Sequence, residues 1–223
     1  TQILGSIQNT LYWDQNTGMP KKGAFWRSEQ LTYIAKKLHK RNSSQEFIDL
    51  IEAARNELFE EEAKYENLQK FEGKKRNIEL LAKEFNRRKN LDPKLVESLA
   101  MAKSRGYESW QEAKRKSEFN IFLPFFEKLI KLRIEEAKQI SDHYSPWETL
   151  AQPFEPELTL KWLKKIFQPL KETIPELIGG INQSKKIHWD ISPEYQQNLC
   201  SKLLDEFGRD KDLVIVGESP HPF

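Results

Sequence analysis

A chain of 223 residues is long enough to bury a sizeable core in one domain or two small ones, but only 38% of its residues are hydrophobic and 31% are charged, so each apolar stripe must be narrow and flanked by wet faces. Lys and Arg number 36 against 34 Asp and Glu, and the basic runs Lys74-Lys75-Arg76 and Lys114-Arg115-Lys116 lie among acids, which argues against the unopposed basic stripe of a nucleic-acid binder. No apolar run approaches the roughly 20 residues of a membrane span, and a lone cysteine, Cys200, rules out an internal disulfide and suits a reducing, cytoplasmic setting.

The apolar residues Leu4, Ile7 and Leu11 recur at helical spacing, and Trp13-Asp14 follow where that helix should end. Pro20 is placed to open a second helix, whose inner face carries Ala24, Leu31, Ile34, Ala35 and Leu38. Residues 11–23, LYWDQNTGMPKKG, therefore form a corner between two helices. Ser43-Ser44 can cap a third helix bearing Phe47, Ile51, Ala54, Leu58, Tyr65 and Leu68, one arm of a long hairpin expected to turn near Gly73; Ile78, Leu81, Ala82 and Phe85 carry the returning arm.

Asp92-Pro93 combines a cap oxygen with a proline at the first helical position, and Leu95, Val96, Leu99 and Ala102 then face inward. Trp110 lies beyond Gly106, on a continuation or a separate helix. Phe119, Phe122, Phe125 and Phe126 cluster around Pro124, and Leu129, Leu132, Ala137 and Ile140 follow on another amphipathic segment. Residues 146–156 hold three prolines and are expected to be extended, punctuating two helical layers. Thr159 caps a helix with Trp162, Leu163, Ile166, Phe167 and Leu170, which Pro169 and Pro175 should kink or divide. Ser192-Pro193 begins a last helix and Gly208 stops it. Leu213-Val214-Ile215-Val216 has the composition of a short β-strand. The expectation is a mainly α fold, a multi-helix array with a long helical hairpin and one short β-strand near the C-terminus, in a single helical region spanning 1–223.

Catalytic signatures are sparse. His39, His143, His188 and His221 include no pair at i, i+4, and the chain has no His-Glu-x-x-His, cysteine cluster, Gly-x-Ser-x-Gly elbow or phosphate-binding glycine loop. By these residues alone the chain is a helical scaffold.

The two ends are more specific. Residues 11–30, LYWDQNTGMPKKGAFWRSEQ, resemble the segment of the carboxypeptidase Taq family of metallocarboxypeptidases that runs roughly Trp-Asp-x-x-Thr-x-Met-Pro-x-x-Gly-x-x-x-Arg-x-x-Gln. Trp13, Asp14, Thr17, Met19, Pro20, Gly23, Arg27 and Gln30 match at the right spacing. Ser219, His221, Pro222 and Phe223 resemble the first motif of that family's catalytic region; Trp110 with Phe119 and Phe122, and Phe154-Glu155-Pro156 before Thr159, resemble landmarks in the same order.

The resemblance implies a mainly α-helical, zinc- or cobalt-dependent exopeptidase, usually a homodimer, that removes C-terminal residues from peptide substrates. The family's His-Glu-x-x-His and Asp-x-Arg-x-Thr segments have no counterpart here, so this chain is expected to be the N-terminal portion of a larger catalytic domain, without catalytic residues or metal ligands of its own. His221, Pro222 and Phe223 are expected near the substrate cleft. The matched residues of the corner carry structural expectations: Trp13 anchors packing, Asp14 pins the turn, Pro20 and Gly23 shape backbone, and Arg27 pairs with a carboxylate or carbonyl. The competing reading is a non-catalytic interaction or adaptor module built on the hairpin of residues 43–90.

Overall fold

The computed structural model describes residues 1–60, 68–180, 190–210, 212–214, 216 and 219. Every regular element among them is helical, and the chain divides into two compact units, Thr1–Pro156 and Glu157–Ser219. The division falls at the end of the three-proline stretch.

The first unit holds α1 (Gln2–Asn16), a 3-10 turn (Lys21–Gly23), α2 (Ala24–Asn42), α3 (Gln45–Glu60), α4 (Leu68–Arg88), α5 (Pro93–Lys116), α6 (Phe119–Ile140) and α7 (Pro146–Ala151). Helix α5 is the spine, packing along both α2 and α6. It starts as expected: Asp92 Oδ1 accepts the Lys94 N–H at 2.8 Å and Pro93 takes the first position. Small buried residues, Ala100, Ala102, Ser104, Gly106, Ser109 and Ala113, let neighbouring helices approach it closely. Leu91, Leu95 and Leu99 form the centre of the core, with Val96, Leu129, Leu132 and Ile140 packed against them, each fully buried leucine contributing about 1.5–3 kcal/mol. α5 runs through Trp110 without a break and ends at Ser117, whose left-handed φ of 57° turns the chain back into α6. There Phe119, Phe122 and Phe126 pack ring on ring with centroids 5.6–6.5 Å apart. Pro124 sits inside α6 without dividing it.

Several expectations are corrected. The hairpin does not turn at Gly73, because α4 has already begun by Leu68 and passes through that glycine; Tyr65, assigned to the first arm, lies outside the described residues. The arms do pair, with Phe47 and Phe85 rings 6.3 Å apart. Pro20 opens the 3-10 turn, while α2 itself starts at Ala24. The stretch from Pro146 is not extended throughout. Ser145 Oγ accepts the Glu148 N–H and Glu148 reaches back to the Ser145 N–H, a capping box that makes Pro146–Ala151 helical.

In the second unit, α8 (Leu160–Gly179) begins where Thr159 Oγ1 accepts the Trp162 N–H at 3.2 Å. It remains one helix through Pro169 and Pro175. α9 (Pro193–Glu206) begins where Ser192 Oγ accepts the Tyr195 N–H. It ends in a Schellman motif, with Gly208 at φ 79° and the Arg209 N–H reaching the Leu204 carbonyl at 3.0 Å. The expected β-strand at Leu213–Val216 is not found among the described residues. Leu213 lies in a turn whose N–H, like that of Val214, returns to the Asp210 carbonyl; Val216 is irregular and Ile215 lies outside the described residues. A strand requires a paired edge, and among the described residues there is no other strand to supply one.

Candidate functional site

The corner between α1 and α2 brings the motif residues together. When α1 ends, the N–H groups of Thr17, Gly18 and Met19 all converge on the Asp14 carbonyl, at 3.3, 3.1 and 2.9 Å. Thr17 Oγ1 donates to the Trp13 carbonyl at 2.7 Å. This satisfies the helix end locally and turns the chain through Pro20 into the 3-10 turn. Gly23 lies under Met19: a Cβ there would sit 3.3 Å from Met19 Cγ.

Arg27 closes the corner. Only 8% of it is exposed, and its guanidinium donates in three directions: to the Leu11 carbonyl, to Asp14 Oδ2 at 2.5 Å and, through Nε, to Gln30 Oε1 at 3.0 Å. The planar fork thus ties the last turns of α1 to the first turns of α2. Asp14 pins the corner from the other side, and Arg27 pairs with both a carboxylate and a carbonyl. Trp13, expected from its type to anchor packing, leaves 39% of its surface exposed.

Sequence reasoning missed Gln15. It is buried at 6% exposure, and its amide shares two hydrogens among the Ser104 carbonyl (3.3 Å), Ser104 Oγ (3.0 Å) and Glu108 Oε1 (3.2 Å). This fastens the corner to α5. A polar residue on an amphipathic helix has no distinguishing pattern until its partner is known. Lys21 adds a longer pair to Glu112 at 3.5 Å. Hydrogen bonds from Arg115 and Lys116 hold the Glu112 carboxyl down at about 2, and burial pushes the Tyr12 phenol up.

The corner holds no nucleophile with a base at hand and no set of metal ligands; its chemistry is that of a clasp. Among the described residues no three His, Cys, Asp or Glu side chains converge to hold an ion, so they do not fit the metal the resemblance implies. His39 is buried, with Nε2 3.0 Å from the Leu91 carbonyl, and His143 is exposed beside Asp142. His221, Pro222 and Phe223, the expected cleft residues, lie outside the described residues, as does His188. Ser219 is half-buried. No described helix is long and apolar enough to cross a membrane.

Comparison with known proteins agrees with the motif. The family model described as Carboxypeptidase Taq (M32) metallopeptidase matches residues 1–223. Carboxypeptidase 1 of Bacillus subtilis (strain 168) is 29% identical over 219 residues, covering 96% of this chain and 42% of that protein. Thermostable carboxypeptidase 1 of Thermus thermophilus is 24% identical over 238 residues, covering 100% of this chain and 45% of that protein. Among solved structures, the BsuCP crystal structure superposes with a TM-score of 0.82 at 27% identity, over 99% of this chain and 44% of that one. Metallocarboxypeptidase 1 of Trypanosoma cruzi superposes with a TM-score of 0.69 at 25% identity, with the same coverage, 99% and 44%. The chain spans less than half the length of the relatives it matches.

Proposed function

Because the chain belongs to the carboxypeptidase Taq (M32) family of metallopeptidases, we propose that it forms the N-terminal helical portion of a metal-dependent carboxypeptidase, its helices making one wall or lid of the cleft that receives a peptide's C-terminus. The observation that carries this reading is the corner, where Asp14, Arg27 and Gln30 of the family motif interlock in one hydrogen-bonded clasp. The clasp fixes the angle between α1 and α2 and, through Gln15, their seat on α5. Its work is positioning: a wall presents substrate contacts usefully only if its helices do not shift.

On the same reading the complete enzyme takes zinc or cobalt, works as a homodimer and resides in the cytoplasm, and His221, Pro222 and Phe223 lie at the cleft. A metal held elsewhere in the complete enzyme would supply Lewis-acid chemistry; this chain's part is to shape the cleft.

The test grafts this chain in place of the matching N-terminal portion of Bacillus subtilis Carboxypeptidase 1 and measures release of C-terminal residues from a peptide with zinc or cobalt present. Trimming by the graft, with a raised KM when His221→Ala and Phe223→Ala are introduced, is the expected result. A graft that folds by circular dichroism and takes up metal but releases nothing would overturn the proposal.

One feature favours the adaptor reading: a groove of about 380 Å³ between α3 and α4, in which Leu58, Phe59, Ile78 and Ala82 are flanked by Arg55 and Lys75. An adaptor would capture its partner through this groove with no catalytic portion attached. Loss of capture on Phe59→Asp alongside an inactive graft would favour that reading.

A further inference from the structure

The first unit encloses a second polar feature that the corner does not use. Between α1, α2, α4, α5, α6 and α7 lies a cavity of about 620 Å³, within the size range of small-molecule sites. Its lining includes the apolar residues Leu38, Val96, Leu99, Ile130 and Leu150, four cations, Arg87, Arg88, Lys103 and Arg133, and two carboxylates, Glu84 and Glu136.

The charges do not balance. Arg88 pairs with Glu84 and Arg133 with Glu136 at 2.5 Å, which uses both carboxylates. Arg87 donates to a neutral group, the Thr149 carbonyl, at 2.9 Å. Lys103 makes no hydrogen bond or ion pair among the described residues. Glu136 also acts on both Arg87 and Lys103, and Glu84 on Arg87, so four cations share two carboxylates and the cavity keeps an excess of positive charge. Desolvation by neighbouring side chains and the nearby guanidiniums pull the Lys103 ammonium below its ordinary range against the opposing pull of Glu136, and desolvation does the same to Arg87 against Glu84 and Glu136. Lys103 is exposed and Arg87 half-buried, so an anion from solvent can reach this excess of positive charge.

We propose that this cavity binds a small organic dianion, its two negative charges set against Arg87 and Lys103 and its apolar body against the lining residues Leu38, Leu99 and Ile130. Arginine forks and a lysine point charge lining one cavity suit a phosphate monoester, and the apolar lining adds affinity that inorganic phosphate cannot gain.

Phenyl phosphate is the probe, titrated calorimetrically into the 223-residue chain near pH 7.5, where its second ionisation is largely complete. Saturable binding is expected. Lys103→Met, which keeps the stem and removes the charge, should weaken binding roughly tenfold or more, as for loss of a charge-assisted hydrogen bond, while Lys103→Arg stays close to wild type. Where Lys103→Met loses its helical circular dichroism, Arg87→Met serves as the charge-removing variant. No saturable binding, or binding unchanged in a folded Lys103→Met or Arg87→Met protein, would overturn the site. Inorganic phosphate binding as tightly as phenyl phosphate would overturn the role of the apolar lining, and equal binding of the monoanion phenylacetate would overturn the two-charge requirement.

Discussion

Replacing Arg27 by Met probes the clasp most sharply, because the change keeps the apolar stem and removes three donors from a side chain only 8% exposed. Hydrogen bonds to charged groups contribute about 1.5–3 kcal/mol each where both partners are buried. The Asp14 side chain is 41% exposed and rehydrates when abandoned, so that contact is discounted to about 1 kcal/mol. The Leu11 carbonyl lies inside α1 and keeps its helical partner, and Gln30 turns to water, so each adds about 0.5–1 kcal/mol. The sum is a loss of about 2–3 kcal/mol, or roughly 5–10 °C in melting temperature for a chain of this size. Calorimetry gives the shift, and a double-mutant cycle with Asp14→Asn should return a coupling of about 1 kcal/mol. A Met variant within about 0.5 kcal/mol of wild type, the range of an ordinary surface change, would refute the clasp.

Gln15→Leu should cost about 1–3 kcal/mol by urea unfolding, since Ser104 Oγ loses its buried partner; Gln15→Glu should cost more, placing a carboxylate against Glu108. Gly208→Ala meets no atom within 4 Å but must adopt φ 79°, so it should lose about 1–2 kcal/mol, read as faster amide exchange in the last turn of α9. A carboxyl-detected NMR titration should place Glu112 at about 2. Because that lies below the unfolded value of 4.5, its contribution to stability is complete above pH 4.5 and disappears as pH falls toward 2. Arg115→Ala should move the midpoint up, and an unmoved midpoint would deny Arg115 that role.

Helix starts are legible at Asp92, Thr159 and Ser192, where a side-chain oxygen stands before a proline or an apolar run, because the cap is local chemistry. The capping box at Ser145 and Glu148 obeys the same rule, yet three nearby prolines mask it. Gly73 misleads in the opposite sense: its helical cost of about 1 kcal/mol relative to Ala is small beside the packing of a long arm. Leu213–Val216 has strand composition, but strand formation depends on a partner that a local reading does not supply. At the corner, the spacing of Asp14, Arg27 and Gln30 identified the family while Gln15 stayed hidden, since its partners lie some 90 residues away, at Ser104 and Glu108.

The central claim is that this chain contributes a positioned helical wall and that the metal-bearing side of the enzyme lies in other sequence. Cobalt titration of the purified chain, followed by visible absorption and by release of C-terminal residues from a peptide, tests it most directly. The account predicts no stoichiometric cobalt spectrum and no release; one tightly held ion per chain together with peptide trimming would contradict it.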